Sequence, residues 1–207
     1  MLPFLLAASL SYLLGSIPSG YLAGRIAGVD IRHRGSGNIG ATNVTRELGK
    51  AYGYPVFFAD FGKGLASVGL AKLLAHRLSP AESHQAIQII AGVFSVLGNT
   101  FPVWLKFRGG KGVATSAGVL FGLAPVAVLI AIVVWILTFE AVRYVSLASI
   151  AAALTLPASV FVITKMTPPH DLLLFYFSVC LAALVVLRHR SNLVRLIRGT
   201  EQRFERR

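Results

Sequence analysis

The chain has 207 residues, of which 55% are apolar and 14% charged, and its formal net charge is +12. An ordinary soluble domain carries roughly a quarter charged residues, so this balance excludes one. The apolar residues also gather into blocks of about 20, the length of a helix that crosses a bilayer. Cys180 stands alone, which excludes an internal disulfide and argues against a cysteine-based metal site.

The first block, MLPFLLAASLSYLLGSIPSG, has no Lys or Arg ahead of its apolar run, so it reads as a retained span rather than a cleaved leader. The apolar segments lie at 3–24, 52–73, 86–105, 113–139, 147–164 and 171–188. Basic residues collect between them: Arg25, Arg32, Arg34, Arg46 and Lys50, then Lys106, Arg108 and Lys111, then seven arginines from Arg188 onward. Basic loops stay on the cytoplasmic side, so the three clusters are expected to share it. One crossing per segment would put the arginine-rich tail outside. Pro125, in the middle of the long segment 113–139, lacks an N–H and disfavours helical geometry in the residue before it. A short helical hairpin turning there restores the parity. The expected fold is an all-α integral membrane protein with seven transmembrane helices, the N-terminus outside and the C-terminus cytoplasmic. Residues 1–207 are read as a single domain.

The cytoplasmic face then collects four polar segments, 30–50, 106–115, 140–149 and 188–201. Polar backbone at membrane depth is tolerated only where protein buries it or a wet cavity meets it, so these segments are expected to converge. A nucleic-acid partner is not expected of short loops tied to a bilayer.

The segment GSGNIGATNVTRELGK, residues 35–50, satisfies G-x-G-x-x-G through Gly35, Gly37 and Gly40, with Asp60 at the expected distance beyond. A dinucleotide site needs a strand and a βαβ unit around that motif, and membrane spans flank it here. What remains is a glycine-rich nest of N–H groups suited to an anion. Ser36, Asn38, Thr42 and Asn43 add neutral hydrogen-bonding side chains and Arg46 adds a cation. The plainer reading is a polar loop that caps the next helix through Thr45 or Asn43.

KFRGGKGVAT, residues 106–115, fails as a P-loop, because position 105 is Leu and position 112 is Gly. Gly109, Gly110 and Gly112 still let backbone approach a ligand closely. Lys106, Arg108 and Lys111 supply charge, and a helix start just beyond adds partial positive charge. Snorkelling at the interface would explain the cations but not the glycines.

In RHRSNLVRLIRGTE, residues 188–201, His189, Asn192 and Arg195 recur about once per helical turn and share a face. His189 can orient a substrate or handle a proton. Glu201, after Gly199-Thr200, is expected to hold arginines in place.

These three stretches resemble, in order and spacing, the cytoplasmic motifs of the bacterial acyl-phosphate-dependent glycerol-3-phosphate acyltransferases, the PlsY family. GSIPSGY, DFGKG at 60–64 and RYVSLASI at 143–150 extend the resemblance over nearly the whole chain. The resemblance implies a multi-pass enzyme of the bacterial inner membrane with its active site on the cytoplasmic side. It would move a fatty acyl group from acyl phosphate to the 1-hydroxyl of sn-glycerol 3-phosphate, giving lysophosphatidic acid and phosphate. It further implies that Ser36 and Arg46 are required and that Gly109, Gly110, Lys111 and Gly112 bind glycerol 3-phosphate. His189, Asn192, Glu201 and Ser146 map to the same site. Acyl phosphate is already an activated mixed anhydride, so no metal or cofactor is expected, and the protein is expected to work as a monomer among membrane lipids. No His here has an Asp five positions later, so the His-x-x-x-x-Asp pattern of acyl-CoA enzymes is missing. Family members carry Gly-His where this chain has Gly98-Asn99, which leaves any role of an imidazole there open. The proton acceptor, His189 or the leaving phosphate, stays open too, with Ser36 as a covalent nucleophile a third route. A transporter or binding protein for a phosphorylated solute is the rival class.

Overall fold

The computed structural model describes residues 1–78, 84–167 and 172–204. Among these, the regular elements are ten α-helices and two short 3-10 turns, with no strand. The chain packs as two compact units, Met1–Leu123 and Ala124–Arg207.

In the first unit, α1 (Leu2–Gly15) and α2 (Ser19–Ile26) divide the first apolar block at Ser16-Ile17-Pro18. Proline has no N–H to continue the helix, so the break falls just before it. A short α3 (Ala41–Leu48) leads into α4 (Lys50–Leu78), followed by α5 (His84–Thr100) and α6 (Val113–Leu123). Small residues set the packing, as they do where lipid replaces water and close van der Waals contact must hold helices together. A Cβ on Gly15 would strike the Ser95 carbonyl, and one on Gly98 the Tyr12 carbonyl, so α1 and α5 meet backbone to backbone. Gly64 against Thr115 and Gly118 against Phe61 do the same for α4 and α6.

Two apolar clusters lie near opposite ends of α4. Ala71 and Ala75 pack with Ala7, Ile87 and Ala91, while Val56 packs with Ile31, Ile39, Val44 and Leu105. At 1.5 Å per residue the clusters sit roughly 25 Å apart along the helix. The interval between them on α4 holds buried polar side chains, Asp60, Lys63 and Ser67.

The second unit holds α7 (Pro125–Val142), α8 (Val145–Met166), α9 (Leu173–Arg188) and α10 (Arg190–Ile197). The long segment 113–139 is divided where its proline required. Ala124 leaves helical geometry at φ −146°, and Pro125 opens α7, where its missing N–H costs nothing. Arg143 at φ 61° ends α7 two residues before α8 begins. The pair α9 and α10 bends by 52° around His189.

Four stretches are long and apolar enough to cross a membrane: Leu2–Ile26, His84–Leu105, Pro125–Val142 and Val145–Met166. The bent pair α9 and α10 makes a fifth if taken as one span. The 29-residue α4 also has the length for a crossing, but Asp60, Lys63 and Lys72 interrupt its apolar run.

Candidate active site

The first polar segment is built as a clamped loop. Asp30 starts it by accepting a hydrogen bond from the Arg32 N–H at 3.1 Å while pairing with the Arg32 guanidinium at 2.6 Å. That guanidinium, which itself lies 4.7 Å from the centre of the Tyr21 ring, holds the Asp30 carboxyl well below the usual carboxylate range. Gly35 and Gly37 then take φ of +54° and +69°, a region open to glycine at little cost.

Asn43, buried on α3, closes the loop. Its Oδ1 accepts from the Ser36 N–H at 2.9 Å, and its Nδ2 donates to the Arg34 carbonyl at 3.1 Å and the Ile31 carbonyl at 3.4 Å. A Cβ on Gly35 would come within 2.5 Å of Asn43 Oδ1, so the clamp itself requires glycine there. Asn43 and Thr45 do not cap a helix, as a polar loop would suggest. Gly40 occupies the N-cap of α3, its N–H bonded to Asn38 Oδ1 at 2.8 Å, and Thr45 donates back to the Ala41 carbonyl. The reason is burial: Asn43 satisfies three backbone groups of the loop at once, which a capping position would not allow. Ser36 is exposed at the loop's tip, with Thr42 and Arg46 half-buried on α3.

The second segment is folded back on the end of α5. The Gly109 N–H donates to the Thr100 carbonyl at 3.1 Å and the Gly110 N–H to the Asn99 carbonyl at 3.0 Å. A Cβ on Gly109 would overlap the Asn99 carbonyl and the Pro102 ring. Lys106 and Phe107 both sit at positive φ, 52° and 61°, a strained geometry for residues with side chains that marks sites held by their surroundings. Gly112, at φ 79°, supplies the carbonyl that accepts the Ser116 N–H and so opens α6. Lys106 and Arg108 are exposed and Lys111 is half-buried. Trp104 and Phe107 are exposed beside them, as aromatic rings are where a membrane meets water.

Both segments stand on one apolar base. Leu105, from the second, packs with Ile31, Ile39 and Val44, from the first, and with Val56 of α4. The structure therefore brings Ser36, Asn38, Thr42, Asn43 and Arg46 onto the same foundation as the glycine loop 106–112.

In the second unit, Glu201 gathers the remaining candidates. Its Oε1 accepts from Ser146 Oγ at 3.0 Å and from Asn192 Nδ2 at 2.6 Å, and its Oε2 pairs with Arg195 Nε at 2.7 Å. Burial pushes the Glu201 carboxyl up, but the hydrogen bonds from Asn192, Arg195 and Ser146 outweigh it and hold the group below its ordinary range. His189, also buried, places Nδ1 2.7 Å from the Val185 carbonyl. A carbonyl only accepts, so Nδ1 carries the hydrogen and the basic lone pair of the neutral ring belongs to Nε2.

Lys63 is a buried charge that motif reading passed over. Its Nζ lies 2.9 Å from the Ile17 carbonyl, 2.8 Å from Asn99 Oδ1 and 2.8 Å from Asp60 Oδ1. A Lys and an Asp three residues apart inside an apolar span were the available signal, because such charges are costly unless paired and functional. Among the described residues, no group of three or more His, Cys, Asp or Glu is arranged to hold a metal.

Apolar helices long enough to cross a bilayer, with a glycine loop at a helix start, define an all-α fold of the membrane-protein class. The model of the glycerol-3-phosphate acyltransferase family matches residues 5–199. Proteins named glycerol-3-phosphate acyltransferase from Trichlorobacter lovleyi and Aquifex aeolicus are 46% and 44% identical, covering 94% of this chain and 94% and 95% of theirs. A crystal structure of PlsY, an integral membrane glycerol 3-phosphate acyltransferase in its glycerol 3-phosphate form, superposes with a TM-score of 0.87. It is 40% identical, with 98% of this chain and 96% of that chain covered. A second PlsY structure, the lysophosphatidic acid form, gives a TM-score of 0.84 at 40% identity over 98% of this chain and 95% of that one. The chain belongs to the glycerol-3-phosphate acyltransferase family, of the PlsY type.

Proposed function

We propose that the protein transfers a fatty acyl group from acyl phosphate to the 1-hydroxyl of sn-glycerol 3-phosphate, yielding lysophosphatidic acid and inorganic phosphate. The observation that carries this reading is the glycine loop. Gly109 and Gly110 are tied back on α5, which fixes the path of the loop, and Lys111 and Gly112 lead into the start of α6, so cation and helix dipole favour a phosphate dianion there. Relatives solved in glycerol 3-phosphate and lysophosphatidic acid forms support the same substrate and product.

In this reading, Lys111, with Lys106 and Arg108, holds the phosphate of the acceptor, while Ser36 and Arg46 hold that of the donor. Asn38, Thr42 and Asn43 shape that loop. The acceptor's hydroxyl oxygen attacks the acyl carbon, the bond from that carbon to the phosphate oxygen breaks, and the phosphate leaves with the hydroxyl proton. Positioning two anions in this way can lower the barrier by roughly 7–11 kcal/mol, and the cations stabilise the charge on carbonyl and departing phosphate. Nothing further has to be activated, because the donor is a mixed anhydride. Ser146, Asn192 and Arg195, organised by Glu201 within the second unit, and His189 are assigned to the reaction by the family's motifs. The loops and the C-terminus lie in the cytoplasm, the chain crosses the inner membrane seven times from an N-terminus outside, and it acts as a monomeric, single functional domain.

The test supplies purified protein in detergent with glycerol 3-phosphate and either palmitoyl phosphate or palmitoyl-CoA, and follows lysophosphatidic acid. Product from the phosphate alone is expected. Product only from the thioester would overturn the donor, and no product from either would favour a carrier.

A further inference from the structure

Lys63 is buried, lies in the middle of α4, and touches none of the loop residues that carry the proposed chemistry. Burying an ammonium is costly unless its hydrogens are all matched. An ammonium has three: hydrogen bonds run to the Ile17 carbonyl at the break between α1 and α2 and to Asn99 Oδ1 at the end of α5, and Asp60 Oδ1, one turn back on α4, pairs with it as an ion at 2.8 Å. One cation thus ties three parts of the first unit at a single depth.

Asn99 is where that tie reaches the glycine loop. Its side chain accepts from Lys63, and its backbone carbonyl accepts the Gly110 N–H at 3.0 Å. The carboxamide is also the surface on which the loop rests, since a Cβ on Gly110 would come 3.2 Å from Asn99 Nδ2. The next carbonyl, Thr100, holds the Gly109 N–H. Displacement of the last turn of α5 would therefore move the Gly109 and Gly110 backbone directly, and rotation of the Asn99 carboxamide would remove the surface against which Gly110 packs.

We propose that Lys63, acting through Asn99, is a positioning residue that fixes the glycine loop in its phosphate-binding geometry and so sets affinity for glycerol 3-phosphate. This rests on the reading of residues 109–112 as the acceptor's phosphate site. An ion pair that merely stabilises the helices would lower the amount of folded protein without favouring one substrate. A loop anchor loosens one substrate and spares the other.

The experiment measures KM and kcat for each substrate in Lys63→Met, Asn99→Leu, Asn99→His and Lys111→Ala, with the thermal midpoint of each variant in detergent. Lys63→Met and Asn99→Leu are expected to raise KM for glycerol 3-phosphate about tenfold and to leave KM for palmitoyl phosphate within about twofold, the pattern of a binding interaction lost at one substrate. Asn99→His, whose ring nitrogen can still accept from Lys63, is expected to recover most of the lost affinity. Should Lys63→Met fail to accumulate, Asn99→Leu keeps the Lys63–Asp60 pair and makes the same comparison. Equal changes in both KM values, or unchanged KM for glycerol 3-phosphate in both variants, would overturn the proposal. If Lys111→Ala raises that KM while Lys63→Met and Asn99→Leu do not, only the anchor fails. If Lys111→Ala leaves it unchanged, the phosphate site itself has been misplaced and the anchor falls with it.

Discussion

Lys63 and Glu201 are both charges withdrawn from water, and their surroundings are mirror images. The cation is met by oxygens far apart in sequence, at Ile17 in the break between α1 and α2 and at Asn99 on α5. The anion is met by donors of which two, Asn192 and Arg195, come from the same short stretch and one, Ser146, from the start of α8. The cation sits in the middle of a 29-residue helix, whereas the anion sits just beyond Gly199, which turns the chain at φ 68°. Long-range ties at the centre of a rigid helix fix the register between elements. A hub on a terminal turn instead holds a tail down and arrays the side chains around it. Damage at the first should therefore misplace a loop in a folded protein, and damage at the second should release a segment.

That contrast is open to attack in order of expected effect. The largest belongs to the loop that Lys63 is held to anchor. Gly109→Ala places a methyl against the Asn99 carbonyl and the Pro102 ring, so the loop must shift. Turnover is expected to fall about 100-fold, the scale of a misplacement of about 1 Å, with the far-ultraviolet circular dichroism unchanged. Retained turnover would show that the loop's path is not critical.

Glu201 comes next. Glu201→Ala strands the donors of Ser146, Asn192 and Arg195, and unsatisfied buried groups cost about 1–3 kcal/mol, so a lower thermal midpoint is expected. The pH dependence follows from the depressed carboxyl. Its contribution is complete above the ordinary value of 4.5 and is lost as pH falls through the lower value of the folded state. The gap in thermal midpoint between the parent protein and Glu201→Gln should be full at neutral pH and close well below 4.5. A gap that persists under acid would mean that the carboxylate's charge is not what holds the hub.

Much of this architecture was legible in the residues. The apolar blocks gave the long helices, and Pro125 marked the division between α6 and α7 within one residue. Glycines and cations picked out the loops because few other combinations suit an anion. Less visible were features decided by contacts remote in sequence. Asn43 looks like a cap when read locally, and its role as a three-way clamp depends on where Arg34 and Ile31 come to rest. The positive φ of Lys106 and Phe107 has no glycine to announce it. The division of the first block at Pro18 stayed hidden because apolar residues continue on both sides. Lys63 was in plain view within DFGKG, and helical spacing pairs it with Asp60, but its hydrogen-bond partners lie 46 and 36 residues away, beyond what that periodicity can show.

The most direct test asks whether the second loop holds the phosphate. Purified protein is treated with an amine-reactive reagent while glycerol 3-phosphate or glycerol is titrated in, and modification of Lys111 is read by peptide mass spectrometry against Lys50. Lys111 should be shielded by glycerol 3-phosphate and not by glycerol, with Lys50 indifferent to both. Unchanged labelling of Lys111 at glycerol 3-phosphate concentrations that saturate turnover would contradict the account.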